Sequence, residues 1–181
     1  MAAGRDEMIR IDQLDGYSIL IETPVDQLQD NIISVVKDLR GNGLSGIYVS
    51  INKPYKTIND IFIKNQINTD KIFFVDCITA SGEEDRDNVS FIPDISDLSG
   101  LSIAITRFID KIPNEKFLLI DAIHALWIYH TPEFIARFIQ NLTERSYRAK
   151  AKMITFIVES EDKRLMRKLI PFFDQVIISG G

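Results

Sequence analysis

Apolar residues along this chain fall into two alternating rhythms. Short, nearly unbroken runs at 17–22 (YSILIE), 47–51 (IYVSI), 71–76 (KIFFVD), 116–121 (KFLLID), 153–159 (MITFIVE) and 173–179 (FDQVIIS) are rich in Ile, Val and Phe, and most end on a polar residue. Such runs read as strands buried on both faces, as in the middle of a parallel sheet. Between them apolar positions recur at helical spacing: Val25, Leu28, Ile32, Val35, Val36 and Leu39, then Ile58, Ile61 and Phe62, then Leu98, Leu101, Ile105, Phe108 and Ile112, then Phe134, Ile135, Phe138, Ile139 and Leu142. A short basic helix is expected over 162–170, and 89–92 reads as one more short strand.

The punctuation agrees with this reading. Asp15 and Gly16 make a turn before the first strand. Thr23-Pro24 and Thr131-Pro132 each offer an N-cap followed by proline at the first helical position, and Asp26 adds a carboxylate to the first turn. Gly41 and Gly43 close the first helix, Asn52, Lys53 and Pro54 start the second, and Pro113 and Asn114 stop the third. Strand and helix alternate in a way that specifies an α/β fold: three layers, a mostly parallel central sheet with helices on both faces, and right-handed crossovers, in a single domain over 1–181. The run 116–121 is expected at the centre, with 17–22 and 73–76 or their immediate neighbours beside it. Open parallel sheets take ligands beyond the carboxyl ends of their strands, so Asp121 is the first candidate for a functional residue.

Composition narrows the class. With 45% hydrophobic and 26% charged residues in 181, the chain suits one domain with a real core and excludes a disordered or collagen-like polymer. The start, MAAGRDEMIR, lacks a signal-like apolar stretch, and no apolar run approaches the roughly 20 residues of a membrane span. A cytoplasmic protein without membrane contact is therefore expected. Cys77 stands alone, which excludes an intrachain disulfide, and His124 and His130 are too few to complete a zinc site with it. Cys77 reads as a small residue at the core edge.

Charge is uneven. The formal net charge is −5, with carboxylates in excess over 1–130 and Lys and Arg in excess from 131 onward. An isoelectric point near 5.1 argues against nucleic acid as a partner. Lys163, Arg164, Arg167 and Lys168 share one helical face, either a solvated exterior or a surface for an acidic partner. The polar stretch 79–88 (TASGEEDRDN) reads as a surface loop whose Glu83, Glu84, Asp85 and Asp87 attract a cation only weakly. No metal or cofactor is expected. Ser50, His124 and Asp121 supply the residue types of a hydrolytic triad, but no nucleophile elbow surrounds Ser50. His124 and Trp127 are expected to pack around the sheet's edge.

Four pieces in this order, ILIETP, GIYVSINKPY, FLLIDAIHAL and FDQVIIS, carry a family likeness over residues 19–179. The chain resembles the ATPase core of the RecA superfamily, in particular the KaiC-like branch found widely in archaea. The resemblance implies a RecA-like topology, with the first piece at the phosphate-loop strand and the third at the Walker B strand, where Asp121 matches the carboxylate. In that family the first strand feeds G-x-x-x-x-G-K-[ST], whose backbone amides and lysine hold phosphates while Ser/Thr binds Mg²⁺. An ungapped alignment puts Thr23 at the first glycine, Leu28 at the last, Gln29 at the lysine and Asp30 at the Ser/Thr. Asn52 and Lys53 stand where the branch has paired glutamates.

The resemblance thus implies a degenerate Walker A motif and a domain without ATPase chemistry, a P-loop fold lacking its P-loop. The expected role is a scaffold, regulatory or signalling subunit acting through a protein partner or a homo-oligomer. An apolar patch at 125–129, with Leu126, Trp127, Ile128 and Tyr129, is the expected contact surface. The alternative is a nucleotide or small-ligand sensor that binds without hydrolysis near Thr23, Asn52, Asp76 and Asp121. An enzyme of unrelated chemistry on a reused fold stays open as a third.

Overall fold

The computed structural model describes Ile9 and residues 16–79 and 83–179; Asp15, half of the expected first turn, lies outside them. Seven strands, β1 (Ser18–Thr23), β2 (Ser45–Ser50), β3 (Ile72–Asp76), β4 (Val89–Phe91), β5 (Lys116–Asp121), β6 (Ala151–Val158) and β7 (Gln175–Ile178), form one sheet in the order β4-β3-β2-β5-β6-β1-β7. Every adjacent pair is parallel. Five helices connect them: α1 (Leu28–Gly41), α2 (Tyr55–Lys64), α3 (Leu98–Lys111), α4 (Pro132–Arg148) and α5 (Arg164–Leu169). A 3-10 helix, Ile123–Ile128, follows β5 directly, and a second, Ile170–Phe172, follows α5.

The central position of β5 follows from its side chains. All six of its residues are buried, and they alternate between faces as strand geometry requires. Phe117 and Leu119 enter the core under α1 and α2, while Leu118 and Ile120 enter the one under α3, α4 and α5. A strand between two helical layers has no wet face, which is why its sequence is apolar without alternation. Its neighbours are β2 and β6, with β3 and β1 one place further out. Across the first of these pairs Gly46 lies opposite Phe117, and a Cβ at Gly46 would stand 2.3 Å from the ring. Glycine there makes room for the largest side chain of β5.

Three local expectations fail. Thr23 is not the N-cap of α1: it stays in β1 beside Val158, and its Oγ1 accepts from Asn31 Nδ2 at 2.8 Å. The chain first turns out of the sheet, with Gln27 N donating to Pro24 O at 3.1 Å, so α1 begins only at Leu28 and Val25 is 74% exposed in that turn. Phe134 is likewise outside the buried stripe of α4, because it lies in the first turn before the helix reaches the sheet; Ile135, Phe138, Ile139 and Leu142 do form that stripe. His124 and Trp127 sit in the 3-10 helix at the end of the central strand, not at the sheet's edge. By contrast, Thr131 caps α4 as expected, accepting from Phe134 N at 3.4 Å.

The register sets the working edge of the molecule. Asp76, Ser50 and Asp121 come side by side at the carboxyl ends of β3, β2 and β5, and Thr23 and Val158 do so at the ends of β1 and β6.

Candidate functional site

Asp121 is 3% exposed, and both carboxylate oxygens have internal donors. Tyr48 Oη donates to Oδ2 at 2.5 Å, and Asn52 Nδ2 donates to Oδ1 at 3.3 Å. Burial pushes the Asp121 carboxyl above its ordinary range, against the pull of these two donors and of nearby Lys53 and His124. Burial, and then the charge of Asp121, push the Tyr48 phenol well above its ordinary value. Tyr48 therefore stays a donor, and the pair is a closed polar unit inside a ring of aromatics, with Phe62 at 5.2 Å from the Tyr48 ring.

Over this pair α1 and α2 converge. Lys53 Nζ donates to Gln29 Oε1 at 2.8 Å, joining the loop before α2 to the first turn of α1. The space left beneath, lined by Gln29, Ile33, Tyr48, Asn52, Lys53 and Asp121 among others, is about 30 Å³. That is water-sized, an order of magnitude below the few hundred Å³ of a small-molecule pocket.

The four strand-end residues do not converge. Asn52 and Asp121 meet, but Thr23 is occupied by Asn31, whose amide also reaches Ser179 Oγ at 3.1 Å. Asp76 is occupied by the start of α2 and by its own turn, accepting from Tyr55 N at 2.7 Å, from Ile78 N and Thr79 N at 2.8 Å, and from the Thr79 hydroxyl. Ser50 donates its hydroxyl to Lys53 O, and His124 Nδ1 accepts from Val158 N at 3.4 Å, so the imagined triad is not assembled. Burial pushes the Cys77 thiol up to about 12, helped by Asp76, which leaves it protonated and inert.

Charged groups singled out in the sequence also find partners within the chain. Asp85 pairs with Arg107 at 2.7 Å and Glu83 with Arg86 at 2.9 Å. Among the described residues no group of three or more His, Cys, Asp or Glu is arranged to hold a metal ion. Three of the four basic residues at α5 meet carboxylates of this chain: Lys163 meets Glu22, Arg164 meets Asp162, and Lys168 meets Glu133. Among the described residues no helix is long and apolar enough to cross a membrane.

A second space at the same edge escaped sequence reasoning. It is a half-open cleft of about 490 Å³ between the ends of β1 and β6, the 3-10 helix after β5 and the start of α5, with Glu22, His124, Trp127, Ile128, Lys163 and Leu165 in its wall. Burial lowers the His124 imidazole below its ordinary value, which favours the neutral ring, against the pull of Asp121. Two signals could have marked the place: the chain's single tryptophan directly after the central strand, and the polar run 159–163 (ESEDK) at the carboxyl end of another.

Residues 47–178 match a family described as "Family of unknown function (DUF7504)". The chain belongs to that family. No curated protein matches it. Among solved structures, the KaiC-like protein PH0186 from the hyperthermophilic archaeon Pyrococcus horikoshii OT3 superposes with a TM-score of 0.63 at 12% identity, covering 88% of this chain and 69% of that one. The uncharacterized protein PH0321 from Pyrococcus horikoshii, solved in complex with an unknown peptide, superposes with a TM-score of 0.66 at 14% identity, covering 93% and 79%. The fold is thus α/β and RecA-like, with KaiC-like structural neighbours.

Proposed function

We propose that this chain is a catalytically inactive RecA/KaiC-like domain with a degenerate Walker A segment, and that it works in the cytoplasm as a scaffold, regulatory or signalling subunit through protein contacts. The closing of the space over Asp121 carries the reading. A nucleotide would have to part Lys53 from Gln29 and enter about 30 Å³. It would also find no glycine between Thr23 and Asp30, and so no free run of amides to converge on phosphate. Asp30 adds a carboxylate where the family has Ser/Thr, and like charges about 4 Å apart repel by about 1–4 kcal/mol at effective dielectrics of 80 to 20. Partner binding draws support from exposed apolar side chains, since Ile128 is 80%, Tyr129 53% and Phe134 50% exposed. Leu126 is core and Trp127 half-buried, so the surface is displaced from the centre of 125–129 toward Phe134.

Isothermal titration with millimolar Mg·ATP and Mg·GTP tests the first half. No saturable heat is expected, an affinity weaker than about −4 kcal/mol. Saturable binding that disappears in Asp121→Ala would overturn the reading. Light scattering over a concentration series tests self-association, which Tyr129→Asp with Phe134→Asp should abolish while the circular dichroism spectrum stays unchanged. The second reading, a small-ligand sensor without hydrolysis, is favoured by the cleft of about 490 Å³ at the other half of the edge.

A further inference from the structure

The cleft at the ends of β1 and β6 has the volume of a small-molecule site, about 490 Å³, and walls of Trp127, Ile128, Ile157, Leu165 and Met166. One charge is set into this apolar wall. Glu22 belongs to β1, is 5% exposed and faces the cleft. A carboxylate so placed needs a cation, and Lys163 supplies it with Nζ 2.5 Å from Glu22 Oε1. The two partners differ in freedom. Glu22 is fixed by the ladders of β1 with β6 and β7, whereas Lys163 lies in the loop before α5 with 38% of its side chain exposed, on a flexible four-carbon stem. Lys163 can swing into water while Glu22 stays. The rim repeats the sign: Glu159 is an exposed carboxylate at the end of β6, and Asp162 is held by Arg164, which itself lies over the Trp127 ring at 5.5 Å.

We propose that this cleft binds an organic cation with an apolar body, an amine or guanidine on an aromatic or aliphatic group, whose charge replaces Lys163 on Glu22 while its body lies against Trp127 and Leu165. Exchange of one cation for another keeps Glu22 paired, so burial of the apolar body drives the exchange. A neutral molecule of the same shape cannot take the place of Lys163, and an anion cannot pair with the buried Glu22. The assignment is independent of whether the space over Asp121 takes nucleotide.

Trp127 is the only tryptophan in the chain, so intrinsic fluorescence reports on the cleft wall. The full chain is titrated with phenethylamine, 2-phenylethanol and phenylacetate, which share a body and differ in charge. The amine should give a saturable change with an affinity about tenfold or more above the alcohol, and the acid none. Lys163→Ala removes the internal competitor, so it should bind the amine about threefold or more tightly than the wild type, and its melting temperature should rise with amine more than with alcohol. Glu22→Gln should reduce the amine to the level of the alcohol. If Glu22→Gln does not fold, the amine-to-alcohol ratio and the folded Lys163→Ala variant decide. Equal responses to amine and alcohol in the wild type, or unchanged or weaker amine binding in Lys163→Ala, overturn the proposal.

Discussion

Two spaces lie at the carboxyl edge of one sheet, about 30 Å³ over Asp121 and about 490 Å³ beside Trp127, and they are bounded by different kinds of structure. Long helices converge over Asp121, and each polar group found there meets another: Tyr48 and Asn52 donate to Asp121, and Lys53 donates to Gln29. Beside Trp127 the wall is a 3-10 helix and the short helix α5, and the buried carboxylate is held by one lysine whose side chain is 38% exposed. The edge is closed where α1 and α2 cover it and Lys53 meets Gln29, and open where only a 3-10 helix and the six-residue α5 flank it, although the open side has its own ion pair, Glu22 with Lys163.

The largest test removes the support of the filled side. Phe117→Ala deletes a fully buried ring under α1 and α2 and should cost about 3–5 kcal/mol in urea denaturation, with Gly46 leaving nothing opposite to fill the hole. Tyr48→Phe is finer: the ring stays and the buried Asp121 carboxylate loses its shorter donor, at about 1–3 kcal/mol. On the open side Lys163→Ala should cost less, about 1 kcal/mol, because that lysine is partly solvated and water can reach the carboxylate it leaves. Equal losses for Tyr48→Phe and Lys163→Ala would erase the distinction between the two spaces.

The smallest effects concern pH and have opposite signs. Asp121 has a raised value in the fold, so the folded state binds its proton more tightly and stability falls as pH rises from the ordinary carboxylate value through the raised one. Asp121→Asn should remove that decline. His124 has a lowered value, so the unfolded state takes its proton first, and stability falls as pH drops below about 6.5. His124→Gln should flatten that limb and leave the other unchanged, as read from chemical denaturation at a series of pH values.

The sheet was legible in the sequence because burial on both faces leaves unbroken apolar runs, as in β5, and because helices must carry a stripe. Local capping was legible only where the chain was free to use it. Thr131-Pro132 and Thr23-Pro24 are the same dipeptide, yet the first caps α4 and the second does not cap α1. Thr131 arrives from a 3-10 turn, whereas Thr23 is still paired with β6 and its hydroxyl is taken by Asn31. The space over Asp121 could not be read in advance, and the cleft left only the traces of Trp127 and the polar run 159–163. Lys53 and Gln29 are 24 residues apart, Glu22 and Lys163 are 141 apart, and only the strand order brings each pair together.

That strand order also has a consequence for how the chain reaches its fold. β1 pairs only with β6 and β7, the last two strands in the chain, and even its flanking turn waits for them: Tyr17 N donates to Asp174 Oδ2 across 157 residues. During synthesis at about 5–20 residues per second, the apolar segment SILIET therefore emerges on the order of 10 s before any strand that can cover it. Until then its edges are open to strangers. The nascent chain carries β1 unpaired throughout the synthesis of the residues between β1 and β6, and holdase chaperones that take extended apolar segments should bind it in that interval.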